Sequence, residues 1–574
     1  MDNQRLLIWG FFGLMLFMTW QAWLEDYGPQ ATAPSPAATA PQNPATGVAP
    51  NDTLPELAAD GETPSLSEPQ PAALPAAPPQ QPAAAAPLVQ VETDVLSVAI
   101  SSQGGTLQSA SLKNYPVEKD RPDELVRLLS PQPADYAAIQ LGLRAASDAH
   151  GEPNHLETFT AEQRNYELTG DSLTVPLVWT DASGLRVERR YRFSRGSYIV
   201  DVEQRVINRS DAEWRGAGYA QIRRRLVEPE RSMFDVDTYS FDGPIVYDGE
   251  KSEKLDRDDL IDDGPYRFRS GVGWIASIEH HFLSAVVPPR GEDQSYSVAV
   301  RDSIATASAI APTQAVAPGA ETSFATTLFV GPKLQSQLED VDETLKLTVD
   351  YGWLTIISQP LFWLLSFVYE FVKNWGLAII VVTILIKLAF YKLPEASGRS
   401  MAKMREIQPR MKALQDRYKD DRQALSQAMM ELYKREKVNP AAGCLPILIQ
   451  MPFFLAFYWV LLESVEMRQA PFALWITDLS SRDPYFILPL IMGAAMLFQQ
   501  KLNPAPADPV QAKVMQIMPI MFTAFFAFFP SGLVLYWVTN TLLSIAQQWH
   551  INKVVAEESK QPRKSAKAKG AKKS

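Results

Sequence analysis

One cation stands inside an apolar, helix-length stretch of this sequence. Lys387 lies within Gly376 to Pro394, GLAIIVVTILIKLAFYKLP. A lysine at the centre of a membrane helix costs about 2.5 to 3.5 kcal/mol, whereas each Leu, Ile, Val or Phe favours insertion by about 0.3 to 0.6 kcal/mol, so the stretch should still enter a bilayer. Thr383 and Tyr391 stand four residues before and after Lys387 and share its helix face. Such a polar stripe is typical of a helix that faces protein or water, where the lysine can attract a negative group.

Two other interpretations of Lys387 stay open from the sequence. Its side chain could snorkel to the cytoplasmic surface, about 10 Å away at Pro394, although helical side chains tilt towards the amino end and so point away from that surface. It could also form a structural ion pair, for which Glu463, near the other surface, is the obvious carboxylate within the apolar stretches. Polar residues on neighbouring stretches favour a third interpretation, a hydrated groove, although each alone could be ordinary interhelical hydrogen bonding. They are Gln450, Tyr536, Asn540, Ser544 and Gln547.

The hydropathy pattern predicts a polytopic α-helical membrane protein with six transmembrane helices. The first is an anchor within residues 1–27 whose flanking charges place its amino end in the cytoplasm; a cleaved signal peptide is the alternative. Charges in the loops keep the lysine-rich tail 551–574 in the cytoplasm as well. The other five spans lie within 376–550, at 376–393, 445–465, 485–500, 514–529 and 533–549.

Residues 353–373 are also apolar, but we expect them to lie on the outer surface as an interfacial helix. If they crossed, the basic segment 398–438 would face outward, against the positive-inside bias. That segment is predicted to be a cytoplasmic helical hairpin, with a turn at Lys419 to Asp421 and a kink or interruption near Pro409. Its methionine-containing apolar stripe is either the seam between the two helices or a docking surface.

The amino-terminal part of the chain is predicted to lie outside the cytoplasmic membrane. Residues 28–90 are rich in proline and alanine and should form an extended linker. From 91 to 340 short alternating segments separated by turn residues predict an all-β sandwich domain. It shows no Ser/His/Asp or paired-carboxylate arrangement, so a binding or spacer domain is favoured over an enzyme.

Composition limits the chemistry further. The 574 residues carry a formal charge of −11, one cysteine and five histidines. One cysteine excludes an intrachain disulfide, and no histidine pair has the i, i+4 spacing of a helical metal site. No phosphate-binding loop pattern is present either. We therefore expect no metal, no cofactor and no enzymatic activity.

Three sequence stretches identify a family resemblance: EKVNPAAGCLPILIQMPFFLAFYWVL from Glu436, RQAPFALWITDLSSRDPYFILPL from Arg468, and FPSGLVLYW from Phe529. They resemble the YidC/Oxa/Alb family of membrane protein insertases, and the whole chain resembles its Gram-negative type. The resemblance implies a conserved core of five transmembrane helices with a groove open to cytoplasm and lipid, and a periplasmic β-supersandwich that is less essential. It also implies nascent membrane proteins as clients, and the Sec translocon (SecYEG and SecDF), the ribosome and the lipid bilayer as partners.

The same resemblance implies roles for individual residues. The family's groove arginine falls on Lys387, which keeps the charge but loses the planar fork that binds carboxylates in a bidentate manner. Thr383, Tyr536 and Trp537 fall where family members contact client helices. The predicted groove set is therefore Lys387, Thr383, Gln450, Tyr536, Trp537, Asn540 and Ser544.

The sequence therefore predicts an inner-membrane insertase and chaperone that needs no nucleotide. A channel or carrier for small anions that uses the same lysine is the alternative, although inverted repeats and carboxylate pairs typical of carriers are missing from the sequence. A receptor whose β-domain binds a ligand is a third hypothesis. Ribosome binding would fall to the basic tail and cytoplasmic loops, because clustered lysines attract RNA phosphates.

Overall fold

The computed structural model describes residues 86–146, 151–227, 240–418, 421–436, 445–502 and 509–560. The predicted anchor 1–27, nearly all of the linker 28–90 and the end of the basic tail lie outside the described residues. Within them an all-β domain precedes a helical region, which confirms the coarse fold class.

Two sheets form the β-domain. The larger, 11-stranded sheet has the order β14-β17-β18-β11-β5-β3-β2-β1-β7, with β19 beside β11 and β4 beside β3. The smaller, 9-stranded sheet has the order β13-β12-β15-β16-β20-β10-β9-β8-β6. Their strands are β1 Leu88–Glu92, β2 Leu96–Ser101, β3 Leu107–Glu118, β4 Arg121–Leu129, β5 Ala137–Ala145, β6 Thr160–Ala161, β7 Asn165–Glu167, β8 Ser172–Thr180, β9 Leu185–Ser194, β10 Ile199–Asn208, β11 Trp214–Arg225, β12 Asp242–Tyr247, β13 Ser252–Lys254, β14 Tyr266–Ser270, β15 Trp274–Glu279, β16 Phe282–Val287, β17 Gln294–Arg301, β18 Ile304–Ile310, β19 Gln314–Val316 and β20 Glu321–Pro332.

Strand β9 shows why this sequence forms a sandwich. Val187 and Tyr191 are buried, while Arg190 between them points outward, as the period of two along a strand requires. Arg189 also faces inward and is fully buried. It donates to Gln204 Oε1 at 2.8 Å and lies 4.4 Å from the ring centre of Phe159, so its charge is accommodated inside the sandwich.

The helical elements follow the β-domain, apart from one short helix inside it. They are α1 Arg257–Asp262, α2 Gln335–Val341, α3 Thr355–Val372, α4 Trp375–Ala389, α5 Lys392–Arg417, α6 Arg422–Glu436, α7 Leu445–Glu463, α8 Ile487–Leu502, α9 Pro509–Phe526 and α10 Ser531–Lys560. Helices α4, α7, α8, α9 and α10 correspond to the five predicted core spans.

Several predicted bounds differ from the observed ones. The span predicted at 533–549 is part of α10, which runs from Ser531 to Lys560. An apolar run ends at the membrane edge, but the glutamine, glutamate and lysine residues beyond it are good helix formers, so the helix continues into the predicted tail. The hairpin begins earlier than 398, at Lys392.

Of the two alternatives predicted at Pro409, the interruption is wrong, because α5 is one continuous helix through this proline. On either side of it Ile407 and Met411 are buried against Leu432 of α6. Packing on both flanks offsets the backbone hydrogen bond that proline cannot donate. The methionine stripe therefore serves at least partly as the seam between these two helices.

Length and composition single out one described helix as long and apolar enough to cross a membrane, and it is α3. The other apolar segments, 375–389, 449–463, 487–502 and 513–526, are shorter. Length and composition do not distinguish a spanning helix from an interfacial one, so the interfacial placement of α3 stays a prediction. Its side chains Ile356, Trp363 and Phe371 are exposed at 87%, 65% and 73%.

Candidate functional site

Helix α4 carries Lys387 and begins at a sharp break after α3. Lys373 has φ +50°, and the side chain of Asn374 accepts a hydrogen bond from Leu377 N at 3.0 Å, which caps the new helix. Lys387 lies in the last turn of α4 and is half-buried. Its positive charge is favourable at this end of the helix dipole.

A chain of hydrogen bonds joins Lys387 to two other helices. Lys387 Nζ donates to Ser544 Oγ of α10 at 2.8 Å. Ser544 Oγ in turn donates to Asn540 O at 2.7 Å, so a lone pair of its oxygen faces the ammonium group. Gln450 Nε2 of α7 donates to Asn540 Oδ1 at 3.0 Å. The structure thus brings four of the predicted groove residues into one continuous polar network.

The three helices present these groups at the same depth. Lys387 follows the first residue of α4 by 12 positions, Ser544 follows the first residue of α10 by 13, and Gln450 precedes the last residue of α7 by 13. At 1.5 Å per residue each lies about 18 to 20 Å from the outer helix end. Although α7 runs in the opposite direction to α4 and α10, the polar residues of all three helices lie at the same distance from this end, so they can contact one another.

The remaining predicted groove residues lie nearer the outer end and outside this network. Thr383 is 1% exposed, and its Oγ1 donates to Ile379 O of its own helix at 2.6 Å. Tyr536 is 3% exposed and packs 4.7 Å from the ring centre of Phe457. Trp537 is half-buried, with Phe454 at 4.6 Å. Their predicted contact with client helices stays a prediction.

Exposure differs among the predicted groove residues. Lys387, Asn540, Ser544 and Trp537 are half-buried, whereas Thr383 and Tyr536 are enclosed. We call the partly exposed region around the lysine network the recess.

The structure also bears on the alternative interpretations of Lys387. In the part of the chain that the structure describes, no ion pair involves Lys387. Glu463, the candidate carboxylate, instead pairs with the buried Lys333 at 3.3 Å. An ion pair between Lys387 and Glu463 is therefore wrong, and the hydrogen bond to α10 favours the groove over snorkelling.

Sequence reasoning named Gln547 among the polar residues but left it out of the groove set, and it missed an aromatic wall. Gln547 Nε2 donates to Tyr391 O at 3.2 Å, which joins α10 to the segment between α4 and α5, one turn beyond the lysine. An aromatic wall of Phe454, Phe457, Phe522 and Phe526 surrounds Trp537 and Tyr536. The dense aromatic runs MPFFLAFYW from Met451 and MFTAFFAFF from Met521 were the available signal for this wall.

Comparison with known proteins places both halves of the chain. The family described as 60Kd inner membrane protein matches residues 367–559, and the family described as YidC periplasmic domain matches residues 88–364. The protein named membrane protein insertase YidC from Nitrosococcus oceani is 46% identical over 562 residues, which cover 97% of this chain and 100% of that protein. The chain belongs to the YidC family of membrane protein insertases. The predicted resemblance is confirmed.

Other YidC proteins match over similar lengths. The membrane protein insertase YidC of Thioalkalivibrio sulfidiphilus is 46% identical over 572 residues, covering 98% of this chain and 100% of that protein. A crystal structure of an active YidC insertase with its first transmembrane domain resolved aligns over 81% of this chain and 94% of its own, with 19% identity and a TM-score of 0.38. The sequence relatives alone support the family assignment.

Proposed function

We propose that this chain inserts and folds integral inner-membrane proteins through the recess around Lys387, which opens to the cytoplasm and to lipid. The observation that carries the proposal is the hydrogen bond from Lys387 Nζ to the neutral Ser544 Oγ. Hydrogen bonds between two ionised groups are stronger than those with one neutral partner. An acidic segment of a client can therefore displace Ser544 and gain a stronger interaction with the lysine.

The length of the helices lowers the cost of that step. Helix α4 has 15 residues and α8 has 16, so they extend about 22 to 24 Å, against about 30 Å for the hydrocarbon core of a bilayer. A hydrophobic element shorter than the bilayer thins it locally. A hydrophilic client segment that enters the recess would then have less hydrocarbon left to cross.

Release of the client into lipid follows from the apolar character of the outer half of the site, around Trp537. The half-buried Trp537 and the rings around it present an apolar surface, which gives an apolar client helix contacts without binding it through polar groups. The helix can leave sideways into lipid, while the lysine retains only the charged segment. No nucleotide enters this scheme.

Placement in the membrane and partners belong to the same proposal. We place both chain termini and the α5–α6 hairpin in the cytoplasm, the β-domain in the periplasm and α3 on the outer surface of the inner membrane. The five transmembrane helices of the insertase core and the anchor within residues 1–27 then make six in total. The Sec translocon would act with this chain on part of its clients. The basic tail would assist ribosome binding, which co-sedimentation with ribosomes, with and without residues 561–574, tests.

Reconstitution tests the function directly. Proteoliposomes with the full-length chain should insert a small membrane protein with an acidic translocated tail and should not conduct chloride in the absence of that client. Chloride flux together with failed insertion would instead establish the anion channel or carrier. The burial of Thr383 and Tyr536, at 1% and 3% exposure, argues against an open path for anions.

A further inference from the structure

The segment between α7 and α8 is an ordered structure whose role the groove does not explain. We call residues 464–486 the outer plate. Its backbone begins with a 3-10 turn at Val465–Met467, and its apolar side chains Ile476 and Leu479 are buried at 3% and 2% exposure. A loop that buries apolar residues and hydrogen-bonds internally has one preferred shape.

Asp483 fixes the end of the plate that leads into α8. It is 1% exposed, and within the described residues it has no ion-pair partner. Its Oδ1 accepts hydrogen bonds from Trp475 Nε1 and Tyr485 N, both at 3.0 Å, and its Oδ2 accepts from Leu488 N at 2.6 Å. Three N–H donors compensate the desolvated carboxylate and cap the helix.

Asp478 organises the middle of the plate in the same manner. Its Oδ1 accepts from Gln469 N at 3.0 Å and from Ser480 N at 2.8 Å, and its Oδ2 accepts from Ser481 Oγ at 2.8 Å. The bond from Gln469 N closes a loop of nine residues within the plate. The plate thus has two carboxylate centres, each held by neutral donors.

The lower side of the plate holds the outer ends of the two helices that form the Lys387–Ser544 pair. Asn374, the cap of α4, donates through Nδ2 to Phe472 O at 2.9 Å. At the start of α10, Ser531 N donates to Ser481 O at 2.7 Å and Gly532 N donates to Leu479 O at 2.8 Å. A Cβ added at Gly376 would stand 2.1 Å from the Phe472 ring, so α4 approaches the plate as closely as only glycine allows.

The upper side of the plate receives the tip of the β3–β4 hairpin. Arg468 Nη2 donates to Pro116 O and Val117 O, both at 3.0 Å, and Gln469 Nε2 donates to Pro116 O at 2.9 Å. Lys119 Nζ at the hairpin tip donates back to Gln469 O at 3.3 Å and also to Thr477 O. Side chains from both partners therefore bind backbone carbonyls of the other.

We propose that Asp483 and Asp478 are positioning residues, which shape the outer plate so that it aligns α4 with α10 on one side and seats the β3–β4 hairpin on the other. The alignment sets the distance between Lys387 and Ser544 some 20 Å away, because each helix is held rigidly at its outer end. This inference rests on the proposed function only where it concerns insertion. The structural alignment itself can be measured without a client.

Distances between spin labels test the proposal in the full-length chain in lipid nanodiscs. With Cys444→Ser as the background, one label pair at Leu385→Cys and Leu542→Cys reports the alignment of α4 and α10, since both positions are exposed. A second pair at Asp120→Cys and Leu474→Cys reports hairpin seating. Asp483→Ala should broaden the first distance distribution, and Asp483→Asn, which keeps the Oδ1 acceptor, should broaden it less.

The matched control removes the upper contacts alone. Lys119→Ala with Arg468→Ala should broaden the 120–474 distribution and leave the 385–542 distribution as in the parent. If Asp483→Ala folds and leaves the 385–542 distribution unchanged, the positioning role is wrong. If Asp483→Ala does not fold, Asp483→Asn and Asp478→Ala replace it. An unchanged 385–542 distribution in both of these variants would also show that the positioning role is wrong. If the 385–542 distribution broadens but client insertion is not reduced, the positioning role of the plate is supported and the groove mechanism is contradicted.

Discussion

Buried cations in this protein differ in what compensates them. Lys333 is 3% exposed and pairs with Glu463 at the junction of the β-domain and α7, and Arg189 is held by Gln204 inside the sandwich. The half-buried Lys387 contrasts with Lys333, since its hydrogen-bond partner is the neutral hydroxyl of Ser544. A permanent acidic partner would neutralise the positive charge of Lys387, which is proposed to attract the acidic segment of a client.

The sign of the charge at position 387 should decide insertion. Lys387→Glu turns attraction for an acidic client into repulsion; each is about 4 kcal/mol for charges 4 Å apart at an effective dielectric constant of 20, so we expect insertion to fall on the order of a hundredfold or more. Lys387→Arg keeps the charge and should insert clients nearly as well as the parent. Complementation of a depleted strain and insertion into proteoliposomes measure both variants. Equal activity of the parent and the Glu variant would refute the attraction mechanism.

Glu466 predicts a pH dependence at the junction between the β-domain and the core. Burial raises the pKa of Glu466 to about 7 from an ordinary value of 4.5, against the opposing effect of backbone hydrogen bonds and of the charge on Lys333. Between these two pH values the folded state binds a proton that the unfolded state has lost, so the free energy of unfolding should fall as pH rises from about 4.5 to about 7 and then level off.

Thermal unfolding at pH 5 and pH 8 measures this dependence. The contribution of Glu466 should make the parent more stable at pH 5 than at pH 8. Glu466→Gln should reduce this difference in stability. Two other buried groups at this junction, Lys333 and His281, have pKa values lowered by burial, so they contribute stability that rises with pH. Comparison of the parent with Glu466→Gln separates the contribution of Glu466 from theirs. An unchanged pH difference in Glu466→Gln would contradict the assignment.

At the scale of elements, the break between α3 and α4 decides how the membrane part is arranged. Lys373 in the left-handed conformation ends α3, and α4 begins two residues later. Ser358 Oγ of α3 donates to Ala456 O of α7 at 3.2 Å. One side of α3 therefore packs on the core. Its other side exposes a ladder of rings, with Trp363 and Phe367 stacked at 5.7 Å, which suits a helix whose aromatic face meets the lipid interface.

Cysteine labelling distinguishes an interfacial α3 from a spanning one. In a Cys444→Ser background, a membrane-impermeant maleimide added from the periplasmic side should reach both Thr355→Cys and Lys373→Cys, because an interfacial helix keeps both ends on the same side. A spanning helix would expose only one of them. Labelling of one end alone from the periplasm would overturn the interfacial placement and the positions of all later loops.

At the scale of the molecule, the β-domain is fixed to the core through several contacts. Besides the hairpin on the outer plate, His281 Nε2 contacts Leu462 O at 2.9 Å and Arg468 lies 5.3 Å from the ring centre of Phe282. None of these contacts involves the network around Lys387. The β-domain should therefore support the core mechanically without taking part in the step at the lysine.

Deletion of the β-domain separates an insertase from a receptor. Removing residues 88–332 leaves Lys333 and its partner Glu463 in place, so client insertion should be largely retained, whereas a ligand-sensing receptor would lose its function. Thermal stability should decrease, since Arg468 and Gln469 lose the carbonyls that they bind. A deletion variant that folds in the membrane but inserts no client would contradict the predicted division of labour.

The sequence by itself determined the order of the parts. Alternation of apolar and polar residues fixes the β-domain and long apolar runs fix the core helices, because both patterns record which side of each element is buried. It also singled out Lys387, Gln450, Asn540 and Ser544, since polar residues are costly in an apolar run and so stand out individually.

Only the tertiary structure decided which of these residues meet. Hydropathy does not register which helix faces Lys387, and the choice of Ser544 over Glu463 as its partner depends on how α4 and α10 are held at their outer ends. The plate that holds them falls between the predicted spans 445–465 and 485–500, where hydropathy predicts no element. Its order comes from Asp478 and Asp483 accepting hydrogen bonds from residues up to nine positions away, and from contacts with a hairpin about 350 residues earlier in the chain. Such long-range contacts depend on the whole fold and leave no local periodicity in the sequence.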